Sequence, residues 1–293
     1  MTDPMPSPNT SDRFPGGAPC EPGVVYLVGA GPGDPRLLTC RALRLLQTAD
    51  VVLHDALITW EMLDLAPAEA ERVHVGKRSG HHFARQGGIA ALMVEHAQRG
   101  RRVVRLKGGD PGIFGRGGEE MEALQRAGVR YEVVPGITAA LAASGLSGIS
   151  LTHRRMSGAV TIMTGHDAAN EERGPLSYGA IGGMDHTLVI LMGLARLPVI
   201  AERLIEGGRD PDTPVAVVQA ASTAGQRTVR ASLRNVAAAA EAAGVVSPAT
   251  IIVGEVAALC DALAWRPEAS GPEAFPPGAR VELARPVRKV VDG

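Results

Sequence analysis

Two α/β domains are predicted for this chain from three observations. Short β-branched runs alternate with helical patterns over residues 24–253, glycine-rich turns lie where runs meet helices, and 293 residues suffice for two ordinary cores. The first run is Val24 to Val28. A helical pattern follows from Pro35 to Ala49, with Leu38, Ala42, Leu45 and Ala49 on one face, Asp34 placed as N-cap and Pro35 at the first helical position. The run Val51 to Leu53 then opens onto Asp55. Strand, helix, strand is the unit of a parallel sheet, which takes ligands at the carboxyl ends of its strands.

The alternation continues with a helix near Ile89 to Gln98, a strand over Arg102 to Leu106, a helix near Glu119 to Ala127 and a strand over Tyr131 to Val134. A small-residue helix and loop occupies Pro135 to Arg155. Beyond it the pattern predicts strands at Ala159 to Met163, Thr187 to Met192, Val215 to Val218 and Thr250 to Val253, with helices near Pro198 to Glu206 and Leu233 to Ala243. The join falls near Ser147 to Met156, so the expected domains are residues 23–150 and 151–266. Residues 1–22, with six prolines and no apolar core of a signal peptide, read as a disordered tail, and residues 267–293 as a second loose tail. No internal repeat is visible.

Composition narrows the function. The chain is 45% hydrophobic and 21% charged with a formal net charge of −1, which excludes a disordered polyelectrolyte and a generic nucleic-acid binder. Four Phe, three Tyr and two Trp leave few rings to stack on bases. The longest uncharged run, Gly136 to Thr152, is rich in Gly, Ala and Ser and too weakly apolar for a bilayer span, so no membrane partner is expected. Cys20, Cys40 and Cys260 form neither an even disulfide set nor a metal-ligand cluster, which points to a reducing, cytoplasmic compartment.

Three glycine-rich segments carry the chemistry. Gly29-Ala30-Gly31-Pro32-Gly33-Asp34-Pro35 links strand to helix, where glycines admit positive φ and close approach of a ligand. It departs from the dinucleotide fingerprint, because its third glycine comes one position early, although Asp50 or Asp55 would suit a ribose. Lys107 to Glu120 holds six glycines in fourteen residues, with Asp110, Arg116 and Glu119 as opposed charges. Either it surrounds a ligand, or Asp110 caps a turn while Arg116 pairs with Glu119 or Glu120. Val133 to Ala140 runs from a strand into a helix of small side chains. It leaves room for a flat ligand or serves close helix-sheet packing.

In this order, these segments resemble the uroporphyrinogen-III C-methyltransferases, a family of tetrapyrrole methyltransferases, over roughly Val24 to Trp265. The resemblance is carried also by Val75-Gly76-Lys77-Arg78, the whole run Arg102 to Glu120, Leu151-Thr152-His153-Arg154, Thr164-Gly165-His166 and Met192-Gly193-Leu194. It implies the two-domain tetrapyrrole methyltransferase fold, an active site in the inter-domain cleft and a homodimer. It also implies transfer of methyl groups from S-adenosylmethionine to ring positions 2 and 7 of uroporphyrinogen III, giving precorrin-2 and S-adenosylhomocysteine without a metal. Carried residue by residue, the cofactor contacts fall on Pro32, Gly108, Gly109, Asp110, Ile113, Thr138, Ala139, Met192 and Ala221, the last a glycine in many relatives.

The catalytic candidates implied are Asp55, Lys77, Arg116 and Glu119. A sulfonium methyl is already activated, so alignment supplies most of the acceleration, and a base is needed only when the methylated ring loses a proton. Asp55, at a strand's carboxyl end, is the favoured base. Arg116 is a poor base, with a pKa above about 12, and is better suited to grip a substrate carboxylate, as is Arg154. Lys77, Arg78, Lys107, Arg116, Arg154 and Arg155 together offer cations to the acetates and propionates of the substrate. The alternative is that most of the arginines are ordinary surface charges.

Other features weigh less. His81-His82 lacks a nearby third ligand for a metal, and His153 and His166 either orient substrate or cap loops. Arg85, Gly87, Gly88 and Ala56 depart from the family pattern. The competing functions are a later corrin-ring methyltransferase, a dinucleotide-dependent oxidoreductase and a silent tetrapyrrole carrier.

Overall fold

The computed structural model describes residues 16–76, 86–166 and 178–263. The chain forms two compact units that divide between Thr138 and Ala139.

The first unit is built on strands β1 (Val24–Gly29), β2 (Val51–His54), β3 (Glu71–His74), β4 (Val103–Lys107) and β5 (Arg130–Val134), with helices α1 (Cys40–Leu46), α2 (Trp60–Leu63), α3 (Gln86–Gln98) and α4 (Gly117–Arg126). The sheet order is β3-β2-β4-β1-β5 and every pairing is parallel. Both faces are covered, as parallel sheets require. Tyr26, Val28, Val52, Val104 and Leu106 pack with Ala42, Leu45 and Leu46 of α1 and Met62 and Leu63 of α2. On the other face Val25, Leu27, Val51, Leu53 and Val103 meet Ile89 and Met93 of α3 and Leu124 of α4.

The second unit contains α5 (Ala139–Leu146), β6 (Val160–Thr164), α6 (Tyr178–Gly182), β7 (Thr187–Leu191), α7 (Leu197–Glu206), β8 (Pro214–Gln219), β9 (Arg227–Ser232), α8 (Val236–Ala242), β10 (Ala249–Val253) and α9 (Cys260–Leu263). Its sheet runs β6-β7-β10-β8-β9, with β6 and β7 parallel and the remaining pairs antiparallel. Leu188, Ile190, Val215, Val217 and Ile251 face Ile200 and Leu204 of α7 and Val236 of α8. Val189, Ala216, Val218 and Ile252 face Ala140 and Ala143 of α5.

Several elements differ from the sequence reading. The pattern from Pro35 to Ala49 is two pieces, a 3-10 turn at Pro35–Leu37 capped by Asp34 and the helix α1 capped by Thr39. The chain is extended at Leu38, and Thr39 restarts the helix by accepting from Ala42 N at 3.1 Å. The strands β3 and β9 have no counterpart in that reading. Both are edge strands, rich in polar residues, so neither produces an apolar run. The expected join at residue 150 lies past the observed division because the small residues of α5 pack into the second sheet. The tail at 267–293 and the first part of that at 1–22 lie outside the described residues. No helix among the described residues is long and apolar enough to cross a membrane.

Candidate active site

In the first unit, β4, β1 and β5 are neighbours, and a glycine-rich loop leaves the carboxyl end of each. Main-chain hydrogen bonds draw these loops together. Ala30 N donates to Lys107 O at 2.7 Å, Gly31 N to Gly109 O at 3.1 Å, and Gly109 N returns to Gly31 O at 2.8 Å. The Asp110 carboxylate joins the second loop to the third, since Oδ1 accepts from Gly112 N at 2.8 Å and Oδ2 from Gly136 N at 2.9 Å. Asp110 therefore organises the loops, and what they offer a ligand is backbone.

Two glycines make this approach possible. A Cβ on Gly29 would stand 2.5 Å from Gly136 N and 2.8 Å from Gly109 O, and one on Gly136 would stand 2.8 Å from Gly29 Cα. No side chain fits between the three loops. Pro32, Gly108, Gly109 and Asp110 are half-buried around this seam, Thr138 is buried, Ala139 is half-buried and Ile113 is exposed. Glycines at these positions present main chain rather than side chains, which suits a polar adenosyl cofactor with an amino-acid tail, so the residues fit the group the resemblance implies.

The second loop is held in an unusual conformation. Phe114 and Arg116 have φ of 51° and 57°, in the left-handed region. Non-glycine residues held there store strain of about 1–3 kcal/mol each, and such strain gathers at functional sites. The same feature marks the second unit at its candidate positions. Met192, just past β7, has φ of 56° and is exposed, and buried Ala221 is flanked by Ala220 and Ser222 at 45° and 76°.

Arg116 Nε donates to Glu119 Oε2 at 2.6 Å, an exposed pair at the start of α4, so two catalytic candidates are each other's partner. Glu120 points inward instead. Its Oε1 lies 3.1 Å from Arg105 Nε and its Oε2 lies 3.0 Å from Lys107 Nζ. Arg105 Nη2 reaches Asp55 Oδ1 at 2.5 Å. Of this quartet only Asp55 reaches solvent, its side chain being 30% exposed against 3% for Arg105, 2% for Lys107 and 0% for Glu120.

The quartet corrects one expectation and adds two residues. Lys107 does not offer its charge to a substrate carboxylate, because it is enclosed and paired with Glu120. Burial, with the Arg105 guanidinium adding, pushes its amine below the usual lysine range, against the pull of Glu120. Arg105 is not a site candidate in the sequence, and Glu120 enters there only as a possible partner of Arg116. Their signal is Arg105 and Lys107 alternating inside the run Val103 to Lys107, since a central parallel strand buries both faces and its cations need buried partners. Beside Asp55, burial pushes His54 down to about 4, with His74 and Arg105 adding to the shift.

Arg154 is exposed in the second unit, while Lys77, Arg78, His81 and His82 lie outside the described residues. His153 Nδ1 accepts from Arg155 N at 3.3 Å within a turn. Among the described residues no group of three or more His, Cys, Asp or Glu side chains is placed to hold a metal ion.

The tetrapyrrole (corrin/porphyrin) methylase family model matches residues 24–237. Siroheme synthases of Psychrobacter sp. (strain PRwf-1) and Azotobacter vinelandii are both 49% identical, over 83% and 86% of this chain and 50% and 54% of their own lengths. The chain thus spans about half the length of these curated relatives. The uroporphyrin-III C-methyl transferase of Thermus thermophilus, solved with S-adenyl homocysteine, superposes with a TM-score of 0.68 at 45% identity, over 80% of this chain and 99% of that one. A cobalt precorrin-4 methyltransferase superposes with a TM-score of 0.71 at 29% identity, over 80% and 96%.

Proposed function

Since the chain belongs to the tetrapyrrole methylases, we propose that it methylates uroporphyrinogen III at ring positions 2 and 7, using S-adenosylmethionine and yielding precorrin-2. The observation that carries the reading is the three-loop seam at the carboxyl ends of β4, β1 and β5, whose glycines expose main chain where a donor can lie. The higher identity to a uroporphyrin-III enzyme than to a cobalt precorrin-4 enzyme, 45% against 29%, supports the earlier substrate over a later corrin.

The donor supplies an activated methyl on a sulfonium. Pro32, Gly108, Gly109, Asp110, Ile113, Thr138 and Ala139 are its proposed contacts, with Met192 and Ala221 proposed for the second unit. Asp55 takes the proton released from the methylated ring: the C–H bond breaks, its electron pair neutralises the ring cation, and an O–H bond forms on the carboxylate. Its accessible position at the end of β2 supports that role. Arg116 and Arg154, exposed and cationic, grip substrate carboxylates, and Glu119 steers the Arg116 fork. Lys77 keeps a catalytic assignment through the family motif alone. The enzyme is further proposed to be a cytoplasmic homodimer, a setting in which its free thiols stay reduced.

An anaerobic incubation with uroporphyrinogen III and S-adenosylmethionine tests this. A red-shifted product with S-adenosylhomocysteine released at twice its amount is expected. Absence of methylation together with tight NAD(P) binding would replace the reading with an oxidoreductase.

A further inference from the structure

The quartet Asp55, Arg105, Glu120 and Lys107 has more order than stability alone asks for. Glu120 uses one oxygen for Arg105 and the other for Lys107, so both cations bear on its orientation. Arg105 commits every guanidinium nitrogen: Nε to Glu120, Nη1 to Leu106 O at 3.1 Å and Leu53 O at 3.4 Å, and Nη2 to Asp55. Two cations and two anions leave the group neutral. Apolar side chains of similar volume in β4 and α4 would fill the same space at equal or lower free energy, because desolvating paired charges offsets most of their attraction.

We propose that Arg105 and Glu120 are positioning residues for methyl transfer, with Glu120 locking the Arg105 guanidinium so that it holds the Asp55 carboxylate at the mouth of β2. The proposal rests on the reading of Asp55 as the base. Among the described residues, the groups facing Asp55 are Arg105 and Lys107 on β4, Glu120 on α4 and neutral His54 on β2, with His74 of β3 packed edge-on against His54. Glu120 divides the field of Arg105 between two carboxylates. Without that charge, the Arg105 guanidinium is held less firmly and Lys107 loses its partner, so the Asp55 carboxylate is positioned less firmly.

The test is Glu120→Gln in the full chain, which keeps an oxygen for Arg105 and removes the charge. At saturating substrate and donor, kcat should fall by roughly tenfold with KM for the donor unchanged, a split that a merely structural loss would not give. If this variant does not fold, Lys107→Met with Glu120→Gln keeps the quartet neutral and carries the same expectation. A folded variant with the parental kcat overturns the proposal. Asp55→Asn separates the two layers: parental turnover in it removes Asp55 as base, whereas an inactive Asp55→Asn beside an unchanged Glu120 variant removes only the positioning role.

Discussion

Glu119 and Glu120 are neighbours on the first turn of α4, yet they belong to different chemistries. Glu119 pairs with Arg116 in solvent, both side chains about half exposed, whereas Glu120 is wholly buried between Arg105 and Lys107. Water screens the first pair and leaves its partners free to exchange for a substrate carboxylate. The second pair cannot exchange, so its cations serve the fold and Asp55. Burial decides which charges of one loop are available to a ligand.

Removing Glu120 should destabilise the molecule most. Glu120→Ala leaves Arg105 and Lys107 uncompensated and should cost about 3–5 kcal/mol of unfolding free energy, read by urea denaturation. The next effect lies beside Asp55. His54 is held neutral by burial, with a folded pKa of about 4, so below the unfolded value of 6.5 the unfolded chain binds more protons. Its stabilising contribution is complete above pH 6.5 and is lost as pH falls to 4, by about 3 kcal/mol. In His54→Gln, urea midpoints measured across that range should lose this slope.

Asp110→Ala removes the acceptor of two main-chain donors and should loosen the seam. Calorimetry should find S-adenosylhomocysteine bound ten- to a hundredfold more weakly, from hydrogen bonds worth about 1.5–3 kcal/mol to a charged group. The smallest effect on stability is expected at the exposed pair. Arg116→Ala should change unfolding free energy by less than about 0.5 kcal/mol while lowering turnover, a separation that denaturation and steady-state rates report together.

Much of this architecture is legible in the order of residues. Val24 to Val28, Val51 to Leu53 and Val215 to Val218 are central or paired strands with both faces covered, so their apolar runs stand out. The edge strands Glu71–His74 and Arg227–Ser232 do not, because solvent on one side permits polar residues. At the site, glycines announce the loops, since only bare backbone packs as closely as Gly29 and Gly136. The partners of charges stay hidden: Glu120 could equally have faced Arg116, and only the turn of α4 sends it to Arg105 and Lys107. Lys107 read as a substrate cation for the same reason, because a lysine beside a glycine loop carries no mark of its own burial.

A crystal structure of the chain with S-adenosylhomocysteine bears most directly on the central claim that exposed main chain receives the methyl donor. The remnant should lie against Pro32 and the Gly108 to Asp110 backbone, with its sulfur open to the carboxyl end of β2. Density for it elsewhere, with that seam holding only water, would contradict the account.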